Sequence, residues 1–351
     1  MRVPFAVLVI GVAALLGLAG GCSGQGDEEE LLPRPSSATG ETRGEDDGAT
    51  TVGAERPPTR TPVGRITRER DGRTIDIWYP ASGEAAGSYE LLPGVDAPAP
   101  GPAEPLDGSY PLVVFSHGSG GVRFQSYFLA EWLASHGYLV AAPDHAGDTV
   151  FDLLAGTQGE LADLLASRSA DVAATQAAVR SWRPGLLAGG GMAVVGHSFG
   201  GTTALLTGAQ ADEVAAVVAI APNTDPIEAS TVVRPPLLVL GGTEDAAEPV
   251  ATSSAAAMGL AGGDAVRVDV VGAGHGSFTN ACTFADALRS GPDEALRGYA
   301  DVLAADTCAP GLIPVGEAHD LTNRVLLAFL DRHLRGEDVP LPEDEAIVLV
   351  R

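Results

Sequence analysis

The chain contains no lysine. All 21 of its basic residues are arginine, and they face 46 aspartates and glutamates in 351 residues, a formal charge of −25. A lysine-built anion site is therefore excluded, and a phosphate-bearing group would have to meet arginine or stay in solvent. The shortage of positive charge also argues against a nucleic-acid partner, because an acidic surface repels phosphate backbones. Solubility or tolerance of high salt is the simpler meaning of that acidity. Cysteine is almost as scarce, at positions 22, 282 and 308. None lies in a CxxC pair or beside closely spaced histidines, so neither a metal site nor another cofactor is expected. Between residues 23 and 61 apolar side chains are too few to bury, and Gly, Ser, Thr, Pro and acidic residues predominate, the composition of a disordered tether. Over the whole chain 45% of residues are apolar, enough for a sizeable core.

What is present begins with Met1-Arg2, a short positive start, and a run of apolar and small residues from Val3 to Gly21 that ends at Cys22. This pattern reads as a signal peptide, not as a core strand or a spanning helix. Its ending, "LAGGC", is similar to the lipobox of bacterial lipoproteins, with Ala19 at the position that leucine usually takes. That likeness implies lipidation at Cys22. The expected organisation is a signal peptide over 1–21, a tether over 22–61 and a folded domain over 62–351. The expected location is the cell envelope, secreted or held to the membrane only through the N-terminal lipid, as a monomer. In such an oxidising compartment Cys282 and Cys308, which flank a helical segment, read as one disulfide.

The folded part opens with "TRERDGRTIDIWYP", two strands meeting around Asp71-Gly72. "GVDAPAPGPAEPLDG", Gly94 to Gly108, reads as a proline-rich surface excursion. Then six apolar strand patterns follow: "YPLVVFSHG", "YLVAAPDHAG", "MAVVGHS", "VAAVVAIAPN", "PPLLVLGGTED" and "VRVDVVGAGH". Helical stretches separate most of them, including "QSYFLAEWLASHG" and a long pattern over 159–182, and "DLTNRVLLAFLDRHLRG" forms a terminal amphipathic helix. Strands apolar throughout mean an α/β fold with a mostly parallel sheet covered by helices on both faces. Functional side chains are then expected at the carboxyl ends of the strands.

Ser198 stands there, in "GHSFGG", between an apolar run and a helical pattern. This Gly-x-Ser-x-Gly context is that of a nucleophile on a sharp strand-to-helix turn, where side chains at 196 and 200 would clash with nearby backbone. A serine needs a base, and the base needs an orienting carboxylate. His275, in "GAGHGSF" after the sixth strand, is the candidate base, and Asp245, in "LGGTEDAAEP" after the fifth, is the candidate acid. Glu244 and Asp225 are the alternative acids. The chain order Ser, Asp, His is that of open-sheet hydrolases. Backbone N–H groups of Ser119, in "SHGSGG", and Phe199 are the candidate donors to an oxyanion. His117, the Asp144–His145 pair and "RSAD", Arg168 to Asp171 at the opening of a helix, read as scaffold. His197 is given no chemical step. Phe124, Tyr127 and Phe128 could wall a pocket or simply pack a helix.

With these residues in view, the sequence resembles the alpha/beta-hydrolase superfamily. More narrowly it is similar to bacterial relatives of platelet-activating-factor acetylhydrolases, to polyester hydrolases and to dienelactone hydrolase-like enzymes. "IDIWYPA", "VVFSHGSGG", "LASHGYLVAAPDHAGD", "GHSFGG" and "GAGHGSF" carry the resemblance, over roughly residues 62 to 335. It implies Ser198 as nucleophile, His275 as base, and the Ser119 and Phe199 amides as the oxyanion hole. In the acetylhydrolase group the acid follows the strand after the nucleophile helix, where this chain has Ala221 or Pro222. In polyester hydrolases it follows the next strand, matching Asp245.

The resulting expectation is a serine esterase that works through an acyl-enzyme on short-acyl, phospholipid-acetyl or polyester-like substrates. A small cap over residues 146–165 is compatible with it. The rival readings are a non-catalytic envelope binding protein that kept the fold, and an amidase or thioesterase with the same triad.

Overall fold

The computed structural model describes residues 60–92, 95–290 and 294–350, all within one compact unit, Gly53–Arg351. The expected signal peptide, the expected lipidation site Cys22 and the expected tether up to residue 59 lie outside the described residues. Of the tether's last residues, Thr61 donates its main-chain N–H to Ser135 O at 3.0 Å, and the Arg60 guanidinium stacks on Trp132.

Among the described residues nine strands form the main sheet, in the spatial order Val63–Arg70, Arg73–Pro80, Leu139–Pro143, Tyr110–Ser116, Leu187–His197, Val214–Ile220, Leu237–Gly242, Ala265–Val270 and Ile347–Val350. The hairpin β1 (Val63–Arg70) and β2 (Arg73–Pro80) turns at Asp71-Gly72, as its sequence requires. Both turn residues have positive φ, 51° and 76°, the twist that two-residue hairpin loops favour. The six apolar patterns become β5 (Tyr110–Ser116), β6 (Leu139–Pro143), β7 (Leu187–His197), β8 (Val214–Ile220), β9 (Leu237–Gly242) and β10 (Ala265–Val270). These six run parallel to one another. A short antiparallel strand, β11 (Ile347–Val350), closes the far edge.

Helices cover both faces, which is why the central strands are apolar at every position instead of at alternate ones. On one face Val113, Phe115, Val195 and Val218 pack with α1 (Tyr127–Ser135) and α8 (Val315–Leu330). On the other, Leu112, Val114, Val194 and Val217 pack with α3 (Leu161–Trp182) and α4 (Phe199–Gln210). The shorter helices are α2 (Val150–Ala155), α5 (Ala255–Met258), α6 (Ala281–Ser290) and α7 (Glu294–Ala305).

Two expectations need correction. The proline-rich stretch is not all excursion: β4 (Val95–Pro100) pairs with β3 (Ala86–Leu92) in a separate two-stranded sheet. A two-stranded ladder has only edges, and there proline's missing N–H costs little. The "RSAD" stretch does not open a helix either, since α3 begins at Leu161 and Arg168 lies two turns inside it.

Candidate active site

Three strands deliver the candidate residues. β7 ends at His197, and the chain turns into α4 through Ser198, whose φ of 57° is one of three positive values at non-glycine residues among those described. The turn is held by Ser198 N–H donating to Ile220 O at 2.9 Å. A Cβ on Gly196 would sit 1.9 Å from Gly200 O, and one on Gly200 would sit 2.0 Å from Ser116 O. No side chain can occupy either position without moving backbone, so both glycines of the motif are set by sterics.

Asp245 and His275 meet from the loops after β9 and β10. Nδ1–H of His275 donates to Asp245 Oδ2 at 2.9 Å, and the aspartate side chain is fully buried. Its other oxygen accepts from the Glu248 main-chain N–H at 2.7 Å. The alternatives do not reach the imidazole. Asp225 is exposed, and its own N–H turns back to Asn223 Oδ1 at 3.1 Å; Glu244, also exposed, donates its N–H to Ala273 O. The position after β8 is held by Ala221, buried, with φ of 42°.

Burial works against a charged His275, but the carboxylate of Asp245, helped by Asp306 and Glu248, outweighs it and raises the pKa above the usual 6.5. With Nδ1 engaged, Nε2 is the nitrogen left for chemistry. Among the described residues neither Nε2 nor Ser198 Oγ has a hydrogen-bond partner, a looseness common before substrate tightens such a site.

His197 holds the elbow to both neighbouring loops. Its Nε2 lies 2.9 Å from His275 O and its Nδ1 3.0 Å from Gln125 Nε2, while Gln125 Oε1 accepts the Gly118 N–H at 3.0 Å. Burial, with His275 alongside, pushes its pKa down to about 3, so it is a neutral hydrogen-bonding spacer. Gly118 is close enough that an added Cβ would stand 3.3 Å from Ser198 Cβ. Among the described residues the main-chain N–H groups of Ser119 and Phe199 have no protein acceptor, and Phe199 is the first residue of α4, where none is available within the helix. The start of a helix favours developing negative charge.

A second Ser–His–Asp relay lies nearby. Ser116 Oγ stands 2.8 Å from His145 Nε2, and His145 Nδ1 is 2.8 Å from Asp171 Oδ2. All three residues are buried, and burial holds His145 far below its usual pKa. Ser116 sits within β5 with no strained turn to present it, so this relay is scaffold. The Asp144–His145 pair divides accordingly, with Asp144 accepting from Arg123 at 2.7 Å. His117 is also tied internally, to Gly118 O at 2.7 Å and to the His145 N–H at 3.0 Å. Packing accounts for the aromatic candidates: Phe124 stacks on Tyr89, and Phe128 stacks on His319. Gln125, Asp148, Glu248 and Asp306 also border the site; Asp148 ends the motif "LASHGYLVAAPDHAGD" and Glu248 lies in "LGGTEDAAEP", but neither stretch singles them out.

Residues 306–308 brace the base loop from outside. Gly276 N–H donates to Asp306 O at 3.1 Å, and a Cβ on Gly276 would meet Thr307 Oγ1 at 2.0 Å. The segment is fastened by the Cys282–Cys308 disulfide.

The family model described as "Dienelactone hydrolase family" matches residues 95–288, more than half of the chain and a span that holds Ser198, Asp245 and His275. A ferulic acid esterase from Streptomyces cinnamoneus is similar in structure, with a TM-score of 0.63 and 23% identity, over 84% of this chain and 98% of that one. No curated protein matches the sequence. The chain belongs to the dienelactone hydrolase family and is a carboxylic ester hydrolase on the α/β-hydrolase fold.

Proposed function

We propose that this protein is a serine esterase that cleaves short-acyl, neutral carboxylic esters, polyester-like chains among them, through an acyl-enzyme on Ser198. One observation carries the reading: a serine forced onto a positive-φ elbow is bordered by a His275–Asp245 pair joined at 2.9 Å. In the proposed cycle His275 Nε2 takes the Ser198 proton as Oγ attacks the ester carbonyl. Asp245 holds the imidazole in the tautomer that exposes Nε2 and stabilises the imidazolium. The Ser119 and Phe199 amides receive the oxyanion. His275 then protonates the leaving alcohol, and a water deprotonated by His275 releases the acid.

Neutral substrates fit the charges around the base. Asp245, Asp306 and Glu248 all act on His275, whereas the nearby Arg123 is paired with Asp76 and Asp144, and Arg168 with Asp148. Among the described residues no helix is long and apolar enough to cross a membrane. We place the domain in the cell envelope, secreted or tethered through Cys22, on the N-terminal pattern alone.

Pre-steady-state hydrolysis of an activated acetate ester tests the reading. A burst of one alcohol per enzyme, absent from Ser198→Ala, supports the acyl-enzyme. Turnover by Ser198→Ala at the wild-type rate overturns it.

A further inference from the structure

We infer that Arg168, held by Asp148, is the positioning residue of the oxyanion hole, and that the second Ser–His–Asp relay exists to hold that arginine's partners in place. The inference rests on the esterase reading above. Arg168 is 2% exposed in the middle of α3, far from any solvent that could hydrate its charge. Its Nη1 donates to His117 O at 2.8 Å and to Ser116 Oγ at 3.3 Å, and its Nη2 reaches Asp148 Oδ2 at 2.5 Å and Gly118 O at 3.5 Å. Asp148, fully buried, accepts from Ser119 Oγ at 2.8 Å, Gly120 N–H at 3.1 Å and Gln158 Nε2 at 3.0 Å. The guanidinium also lies over the Phe199 ring, 4.6 Å from its centroid.

One buried cation thus touches both ends of the proposed hole. By taking the His117 carbonyl and reaching the Gly118 carbonyl, which His117 Nδ1 and the Gly121 N–H also hold at 2.7 and 3.1 Å, it helps to keep those oxygens turned inward. The Ser119 N–H, of the same peptide as the Gly118 carbonyl, faces the other way without a partner in the protein. Phe199, the other donor, is braced by the same group. The relay completes the support: Arg73, on the surface side, pairs with Asp171, which orients His145, which fixes Ser116 against Arg168. A guanidinium suits this place because its planar fork binds several oxygens at once, which an ammonium cannot do. A buried ion pair is a poor source of stability when a packed apolar pair could replace it, so its presence here calls for a role in geometry.

The test compares wild type with Arg168→Lys, Arg168→Met and the double variant Arg168→Met/Asp148→Asn, which leaves no unpaired buried charge and so protects the fold. Each is measured for Tm, for kcat and KM on an activated acetate ester, and for inhibition by an alkyl boronic acid, whose tetrahedral adduct places an oxygen in the hole. The expected result for the folded double variant is a kcat about 10²-fold lower with KM within about threefold, matched by a similar loss of boronate affinity. Arg168→Lys, which keeps the pair with Asp148, should fall roughly tenfold in kcat, since one ammonium cannot serve two carbonyls. Unchanged kcat and boronate affinity in any folded variant, or a loss confined to KM, overturns the inference. Ser198→Ala run alongside separates the two claims: if it retains turnover, the esterase reading has failed and the inference falls with it, whereas an inactive Ser198→Ala beside unchanged Arg168 variants overturns the inference alone.

Discussion

His275 donates Nδ1–H to Asp245 Oδ2 across 2.9 Å, and that carboxylate is shut away from solvent. Asp225, the alternative acid, lies exposed with no bond to the imidazole. Asp245→Asn should therefore lower kcat by on the order of 10³–10⁴-fold, because it presents the wrong tautomer. Asp225→Ala should stay within about twofold of wild type. Steady-state kinetics of the two variants decide between the acids; the reverse order of effects would move the acid to the loop after β8.

The raised pKa of His275 fixes the acid limb of the pH profile. Only neutral His275 can act as base, so kcat/KM should rise with pH through a value above 6.5. The groups facing the imidazole are Asp245, Asp306, Glu248 and the neutral His197. Since Asp306 favours the imidazolium, Asp306→Asn should move the limb to lower pH, and a shift upward would contradict this electrostatic picture.

On the acid side stability should depend on pH in the same sense as activity. His117, His145, His197 and His319 are all pushed down by burial, His197 to about 3 and His319 to about 4. Their contribution is complete above 6.5, the unfolded value, and is lost as pH falls from there towards those folded values. His275 acts the other way: its contribution is present below 6.5 and fades as pH rises through its raised folded value. Burial pushes His333 down as well, so five histidines stand against one, while the carboxyls of Glu131, Asp144, Asp171, Glu248 and Asp306, raised by burial, act in the other sense at lower pH. Tm should therefore fall as pH drops below 6.5 and the fall should flatten towards the carboxyl range, which a series of thermal melts would measure.

Reduction of Cys282–Cys308 should cost both stability and activity. The bridge spans a sequence separation of 26, worth about 3 kcal/mol on a loop-entropy estimate. Because residues 306–308 brace the His275 loop, the Cys282→Ser/Cys308→Ser variant should also lose kcat at temperatures where it remains folded. Unchanged melting and turnover after verified reduction would remove the bracing role.

Much of the site was legible because its constraints are local. Gly196, Ser198 and Gly200 appear in the sequence as a motif since backbone approaches within 2.0 Å leave no room for a side chain. The six central strands were readable because burial on both faces makes them uniformly apolar. Sequence favoured Asp245 over Glu244 without fixing the choice, since adjacent residues on a turn point apart and only the packing of the turn decides which faces inward. β4 was hidden by Pro98 and Pro100, which read as loop signals but are tolerated on a two-stranded ladder. Arg168 read only as a scaffold ion pair, because its partners Asp148 and Ser116 lie 20 and 52 residues away and nothing local connects them.

A charge test addresses substrate class. With carboxylates around His275 and the nearby arginines paired, a neutral acetate ester should be cleaved at least about tenfold more efficiently than an equally activated hemisuccinate. Added salt should narrow that gap by screening. Preference for the anionic ester would place an unassigned cation at the mouth.

The most direct measurement is the intact mass of the purified protein after exposure to a fluorophosphonate, with Ser198→Ala and Asp245→Ala alongside. The expected result is a single phosphonyl adduct on wild type, none on Ser198→Ala, and strongly slowed labelling of Asp245→Ala. A folded wild type that takes no adduct, or a Ser198→Ala protein that still does, would contradict the claim that Ser198 is the nucleophile.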